Sequence, residues 1–193
     1  MKISSGWSKG LKILTPDGLD TRPTRERVRQ SALNMLQPWI HEAKILDLFA
    51  GSGAVGIELV SRGACGGVFV EKAQPAFKCL EANLRAAGER ARMQGLTLLP
   101  WQAQRQDVRD YMRALDGSSF DLIWADPPYE SVPEFLDGCS GLVERALNSG
   151  GVFALESGIE PGVILAGIFS GDSMKLVKQR TYGVTLISIW QKV

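Results

Sequence analysis

The run Gly51-Ser52-Gly53-Ala54-Val55-Gly56 separates two segments of different character. Before it stands Lys44-Ile45-Leu46-Asp47-Leu48-Phe49, a short apolar stretch with the length of a buried strand, and after it the spacing predicts a helix near residues 53–62. A glycine-rich turn between a strand and a helix is a narrow constraint, because the glycines let the chain reverse tightly and let backbone approach a ligand closely. The same alternation continues downstream. Strands are predicted at Lys44-Phe49, Gly67-Glu71, Thr97-Trp101, Phe120-Ala125, Gly151-Glu156, Lys175-Arg180 and Val184-Trp190, with helices near 53–62, 75–87, 106–115 and 132–147. Short apolar strands separated by helices define an α/β fold: a seven-stranded, mostly parallel sheet covered on both faces. The link Thr181-Tyr182-Gly183 is too short for a helix, so the last strand pairs antiparallel with the one before it.

The residues around the glycine turn specify a ligand class. Glu71 lies 20 residues past Gly51 at the end of the second predicted strand, where its two oxygens can accept two ribose hydroxyls. Asp47 places a carboxylate near the carboxyl end of the first strand, where a dinucleotide would put its pyrophosphate. Like charges there repel, whereas S-adenosyl-L-methionine presents an ammonium and a sulfonium, and a carboxylate attracts both. Gln106-Asp107-Val108 follows the third predicted strand, so Asp107 is placed to accept from an adenine amino group while the adjoining backbone meets the ring; its plainer role is to cap the helix. After the fourth strand comes Asp126-Pro127-Pro128-Tyr129. Two prolines fix the backbone and remove two N–H donors. The Asp126 carboxylate and the Pro127 carbonyl can then accept both hydrogens of one exocyclic amine, aiming the nitrogen lone pair at a methyl group, while Tyr129 offers a ring on which a base can stack.

Composition removes several other classes. With 45% hydrophobic and 22% charged residues, the 193-residue chain is an ordinary globular one, and its longest uncharged apolar stretch, residues 161–171, is well short of the roughly 20 residues that span a bilayer. No apolar leader follows Met1, and Cys65, Cys79 and Cys139 form no C-x-x-C pair, so the expectation is a reducing, cytoplasmic protein with free thiols, no membrane association and no metal. One histidine, His41, leaves little from which to build a zinc site or a Ser-His-Asp triad. The formal net charge of +1 is unevenly distributed: residues 1–41 hold seven Lys and Arg against three Asp and Glu, and the remainder is net negative. Clustered cations are the footprint of a polyanion. Lys9 to Leu14 reads as an extended piece of a small hairpin or arm ending at Thr15-Pro16-Asp17-Gly18. Thr24 is placed to cap a helix that runs to Pro38 and carries Arg25 and Arg29 on one face.

Taken together, these motifs resemble those of the Rossmann-like class I S-adenosylmethionine methyltransferases that modify amino nitrogens, and among them the RsmD family, which methylates the N2 of a guanine in small-subunit (16S) ribosomal RNA. The residues that carry the resemblance are Gly6-Trp7-Ser8-Lys9-Gly10-Leu11-Lys12, Arg22-Pro23-Thr24 with Arg27-Val28-Arg29, Leu46-Asp47-Leu48-Phe49-Ala50-Gly51-Ser52-Gly53, Glu71, and Asp126 to Tyr129. The resemblance implies cofactor contacts at Asp47, Phe49, Gly51, Gly53, Glu71, Lys72, Asp107 and Val108, and an amine site at Asp126, Pro127, Pro128 and Tyr129. It further implies RNA contacts at Lys9, Lys12, Arg22, Arg25, Arg27 and Arg29. Residues 1–40 would form a basic arm and helix, and 41–193 the methyltransferase domain, working as a monomer on ribosomal RNA or a subunit assembly particle. The alternatives are an amino-nitrogen methyltransferase acting on DNA adenine or a protein glutamine, a nucleotide-dependent oxidoreductase, and an RNA-binding module without activity. The chain has no spare length for a DNA-reading domain, and an inactive module would have had no reason to keep Asp47 and Asp126.

Overall fold

The computed structural model describes residues 1–16, 23–98, 100–117, 119–159, 168–169 and 172–193. Seven strands form one sheet: β1 (Lys44–Leu48), β2 (Gly66–Val70), β3 (Trp101–Gln104), β4 (Phe120–Ala125), β5 (Leu147–Gly158), β6 (Met174–Tyr182) and β7 (Thr185–Lys192). Their order is β3-β2-β1-β4-β5-β7-β6, with β7 antiparallel to both of its neighbours and every other pairing parallel. The mostly parallel sheet with an antiparallel last strand is the one expected. Because strand side chains alternate between faces, the sheet separates two cores. Ile45, Phe69, Leu122, Trp124 and Ala154 pack toward α1 (Pro23–Leu36), α2 (Ala54–Ser61) and α3 (Gln74–Met93). Leu46, Leu48, Val70, Ile123 and Phe153 pack toward α4 (Val108–Ala114) and α5 (Val132–Ala146).

The fifth strand is longer than expected, Leu147–Gly158 against Gly151–Glu156, and three other boundaries differ for local reasons. The third strand begins at Trp101, not Thr97, because Gly95 turns the chain with a φ of 70° and Pro100 has no N–H to give a neighbouring strand. Helix α3 runs six residues beyond 87, since Leu80, Asn83, Ala87 and Ala91 continue a buried stripe at helical spacing. Helix α1 starts at Pro23, so Thr24 lies inside its first turn and not at the position that precedes it.

The first sixteen residues form the expected small hairpin, in which Ile3 N–H donates to Leu11 O (3.0 Å) and Gly10 N–H to Ile3 O (2.9 Å). It is bound tightly to the sheet's helical cover. A Cβ at Gly6 would stand 1.7 Å from Ser61 O at the end of α2, and the Trp7 N–H donates to that same oxygen at 3.0 Å. Ile3 and Ile13 are buried in the same core as Ile45 and Ile57, so the arm folds as part of one hydrophobic unit. Beneath it lies a buried ion network. Glu58, fully buried, accepts from Arg62 Nη2 at 2.9 Å, faces Arg29 Nη2 at 3.5 Å and accepts from the Ser4 hydroxyl. Arg29 Nη2 also donates to Lys2 O at 2.8 Å, tying α1, α2 and the arm together.

Candidate active site

The sheet order reverses between β1 and β4, and in open α/β sheets ligands bind beyond the carboxyl ends of the strands at that point. Leu48 pairs with Ala125, so Phe49 and Asp126 leave the sheet side by side. The glycine turn and Asp126-Pro127-Pro128-Tyr129 are thereby neighbours, although 75 positions separate Gly51 from Asp126.

Asp47 shares a face with Ile45 and therefore points toward α2. Its Oδ2 accepts the Gly56 N–H at 2.9 Å, and a Cβ at Gly56 would stand 2.7 Å from that oxygen and 2.3 Å from the Phe69 ring. The third glycine of the fingerprint is thus what lets the helix start close over the carboxylate. The other oxygen, Oδ1, is buried and has no hydrogen-bond partner among the described residues. Burial pushes the Asp47 carboxyl up to about 8, the Gly56 N–H opposes the shift, and the nearby Asp126 and Glu71 charges add to it. A carboxylate held this way lacks a cation. The donor set therefore fits S-adenosylmethionine, whose ammonium and sulfonium supply positive charge, and opposes a pyrophosphate.

The rest of the loop is shaped around the same point. Phe49 adopts φ 60°, rare for a bulky residue, with its ring edge-on to Phe135 at 5.3 Å. Gly53 has φ 80°, and a Cβ there would come within 2.5 Å of Leu80 Cδ1, so any side chain at the entry to α2 would carry backbone strain and have to displace Leu80. Glu71 is oriented by two backbone donors, Gly51 N–H to Oε2 at 2.8 Å and Ala73 N–H to Oε1 at 2.6 Å. Each oxygen keeps a further lone pair for a hydroxyl. Asp107 takes the plainer of the two roles its position allowed, the cap, and adds an ion pair. Oδ1 caps α4 through Arg109 N–H at 2.9 Å, while Oδ2 pairs with Lys72 Nζ at 3.0 Å, and that hydrogen bond holds the carboxyl below its usual range. Val108 buries its side chain in the core, so what it offers the cleft is backbone.

In the amine loop Pro127 is buried while Asp126 and Pro128 face solvent. The Tyr129 ring is pinned by its hydroxyl, 2.8 Å from Thr185 Oγ1 and 3.4 Å from Glu156 Oε1, and burial raises the phenol's pKa. Gly158 leaves the ring its space, since a Cβ there would come within 2.8 Å of Tyr129 Cδ2. Sequence reading missed Thr185 and Glu156. Glu156 carried a weak signal as the last residue of a predicted strand, and Thr185 carried none, because only the β5–β7 pairing brings it near. Asn83 was also missed. Its amide donates to Leu14 O (2.8 Å) and Ser52 O (2.9 Å), joining the arm to the glycine turn. If the phenol's partner holds the ring for stacking, Thr185→Val and Tyr129→Phe should each lower turnover about tenfold, and the double variant should be no worse than either. Thr185→Ser should restore the loss, and steady-state kinetics of the four proteins would show it; additive losses would rule the link out.

The expected RNA contacts divide. Lys9, Lys12 and Arg27 are exposed, Arg25 lies in the first turn of α1, and Arg22 falls outside the described residues. Arg29 is turned inward against Glu58 and Lys2, so it is no surface cation and its work is to hold the arm. Among the described residues, no group of three or more His, Cys, Asp or Glu is placed to hold a metal ion, and no helix is long and apolar enough to cross a membrane.

A sheet of this order with one antiparallel strand, a glycine turn over a buried carboxylate and an acidic residue just past β2 defines a class I S-adenosylmethionine-dependent methyltransferase. Residues 1–191 match the family model described as Conserved hypothetical protein 95, the RsmD family, and the chain belongs to that family. It is 30% identical over 200 residues to the YlbH protein of Bacillus subtilis, covering 100% of this chain and 99% of that one. To Ribosomal RNA small subunit methyltransferase D of Escherichia coli K12 it is 33% identical over 150 residues, 77% of this chain and 65% of the relative. The solved structure of Escherichia coli yhhF superposes with a TM-score of 0.77 at 27% identity, covering 100% of this chain and 97% of that one.

Proposed function

We propose that the protein transfers a methyl group from S-adenosylmethionine to the exocyclic N2 of a guanine in small-subunit ribosomal RNA. The observation that carries this reading is the placement of Asp126 to Tyr129 beside the loop that buries Asp47. One element is suited to hold a planar base by its amino group, and the other to hold a cation. Bound S-adenosylmethionine supplies the electrophilic methyl. Asp47 offers its unpartnered oxygen to the cofactor's positive charge, Glu71 its carboxylate to the ribose, and Asp107 an acceptor to the adenine amino group once Lys72 yields or shares it. Asp126 and the Pro127 carbonyl accept the two amine hydrogens, which draws the nitrogen out of conjugation with its ring and aims the lone pair. Tyr129, fixed from β5 and β7, supports the base from one face; such stacking is worth about 1 to 3 kcal/mol. The exposed cations Lys9, Lys12 and Arg27, with Arg22 and Arg25, provide phosphate contacts. The substrate is ribosomal RNA or a subunit assembly particle in the cytoplasm, and the protein acts as a monomer.

Ribosomal RNA from a strain lacking the gene, digested to nucleosides and compared with its parent by mass spectrometry, should lose one N2-methylguanosine. Purified protein with labelled cofactor should restore it, and assays on naked RNA and on subunit particles identify which is the substrate. Loss of a methyladenine from DNA, or of a methylglutamine from protein, with N2-methylguanosine intact would overturn the reading.

A further inference from the structure

At the amino-terminal end of the sheet's outer edge, away from the site just described, a groove of about 550 Å³ runs between α3 and the segment entering β3. We propose that this groove seats a single-stranded stretch of RNA flanking the methylated nucleotide, an inference that rests on the ribosomal RNA reading above. Trp101, Leu84, Leu96 and Leu98 make its apolar lining, and Arg85 and Arg92 stand on its α3 side. The two arginines are seven residues apart, hence two helical turns and about 10 Å along the axis. Apolar and aromatic surface beside spaced cations is the composition of sites that stack bases while following a phosphate chain.

A second observation comes from Gly88, between the arginines on the same wall. Glycine inside a helix is destabilising relative to alanine. Packing does not require it here: a Cβ at Gly88 would meet nothing within 4 Å, and α3 is regular through this point. Its effect is to leave bare helix backbone at the centre of the groove, where a sugar–phosphate chain can come close.

The charge pattern favours a polyanion over a protein or a second copy of this chain. From Arg85 to Arg92, α3 carries three arginines against Glu89, with Glu81 one turn above. Arg90 Nη2 donates to Lys9 O at 2.8 Å, and the Trp7 and Trp101 rings are 6.5 Å apart, so the groove adjoins the exposed Lys9 of the arm. Because Trp101 pairs with Gly67 at the start of β2, the groove lies at the opposite end of the strands from Asp126. Its occupant is therefore RNA outside the modified nucleotide.

The test uses the full chain and a small-subunit ribosomal RNA fragment containing the target. Gly88→Gln should fold with a raised Tm, as helix propensity dictates. It should bind RNA about tenfold more weakly, the equivalent of one lost stacked base. Arg85→Gln/Arg92→Gln should lower the slope of log affinity against log salt by about 1.4, two single-strand phosphate contacts. S-adenosylhomocysteine affinity by calorimetry should be unchanged in both. RNA affinity and salt slope equal to wild type in both variants would overturn the groove while leaving the ribosomal RNA reading intact. A loss seen only with assembled particles and not with naked RNA would assign the groove to a protein, and altered sedimentation of the free chain would assign it to self-association; either result overturns the proposal. Wild-type protein that neither binds nor methylates the RNA, naked or in subunit particles, would overturn the parent reading itself.

Discussion

Asp126→Ala should lower turnover by about a thousandfold, between the roughly hundredfold cost of misplacing a reactant and the upper range for losing a catalytic acid–base group. S-adenosylhomocysteine affinity should change only a few-fold. The argument is geometric. Asp126 leaves β4 beside Phe49, which follows β1, next to the glycine turn; in the proposed reading it faces the acceptor amine and not the cofactor's ribose or adenine. Loss should appear in turnover and in turnover over KM alike, the signature of an interaction made in the transition state. Asp126→Asn distinguishes orientation from base chemistry, since an amide oxygen still accepts one amine hydrogen. Retention of a tenth or more of the activity means that orientation dominates and the proton leaves after attack, whereas Asn as inactive as Ala makes Asp126 a base. A second readout follows from electrostatics. The Asp126 charge helps to keep the Asp47 pKa high, so either substitution should move the Asp47 titration downward. Single-turnover rates with saturating RNA, together with calorimetry, measure both effects; unchanged turnover in Asp126→Ala would remove the loop from the chemistry.

Much of this site was legible because its parts are local. Asp47, the glycines and Glu71 belong to one strand–turn–helix–strand unit, and Asp126 to Tyr129 is a rigid tetrapeptide whose chemistry follows from its own bonds. Residues that join the parts were harder to see. Glu58, Asn83, Glu156 and Thr185 act on groups 27 to 69 positions away, reaching Ser4 and Arg29, Leu14, and Tyr129. No periodicity marks a polar residue whose partner arrives through tertiary pairing. The same reason explains Arg29. On sequence it is one of a run of surface-like cations, and only the placement of Glu58 in α2 makes its burial favourable, because a buried charge persists where a counter-charge is supplied. The fold's outline followed from apolar alternation, while its edges depended on details such as the missing N–H of Pro100.

Asp47→Asn should weaken cofactor binding at least tenfold at pH 8 and at the same time stabilise the ligand-free fold, two effects of opposite sign from one group. In the folded protein burial raises the Asp47 pKa to about 8, above its ordinary unfolded value of about 4. The folded state therefore holds its proton more tightly than the unfolded state, and between those two pH values stability falls as pH rises. Asn has no proton to lose, so the variant's Tm should exceed that of wild type at pH 8 and stay level over the range where wild type declines. Binding has the opposite dependence. A cationic cofactor favours the ionised carboxylate, so wild-type affinity should rise with pH toward 8, and each binding event near pH 7 should release a fraction of a proton. Calorimetry in two buffers of different ionisation enthalpy counts that proton directly, and Asp47→Asn should show neither the release nor the pH dependence. S-adenosylmethionine, with one more positive charge than S-adenosylhomocysteine, should lose more affinity in the variant than its demethylated product does, which separates a charge contact from a packing defect. Equal losses for the two ligands, with the pH profile of binding preserved, would mean that Asp47 only shapes the loop through Gly56 and that the positive charge of the cofactor is met elsewhere.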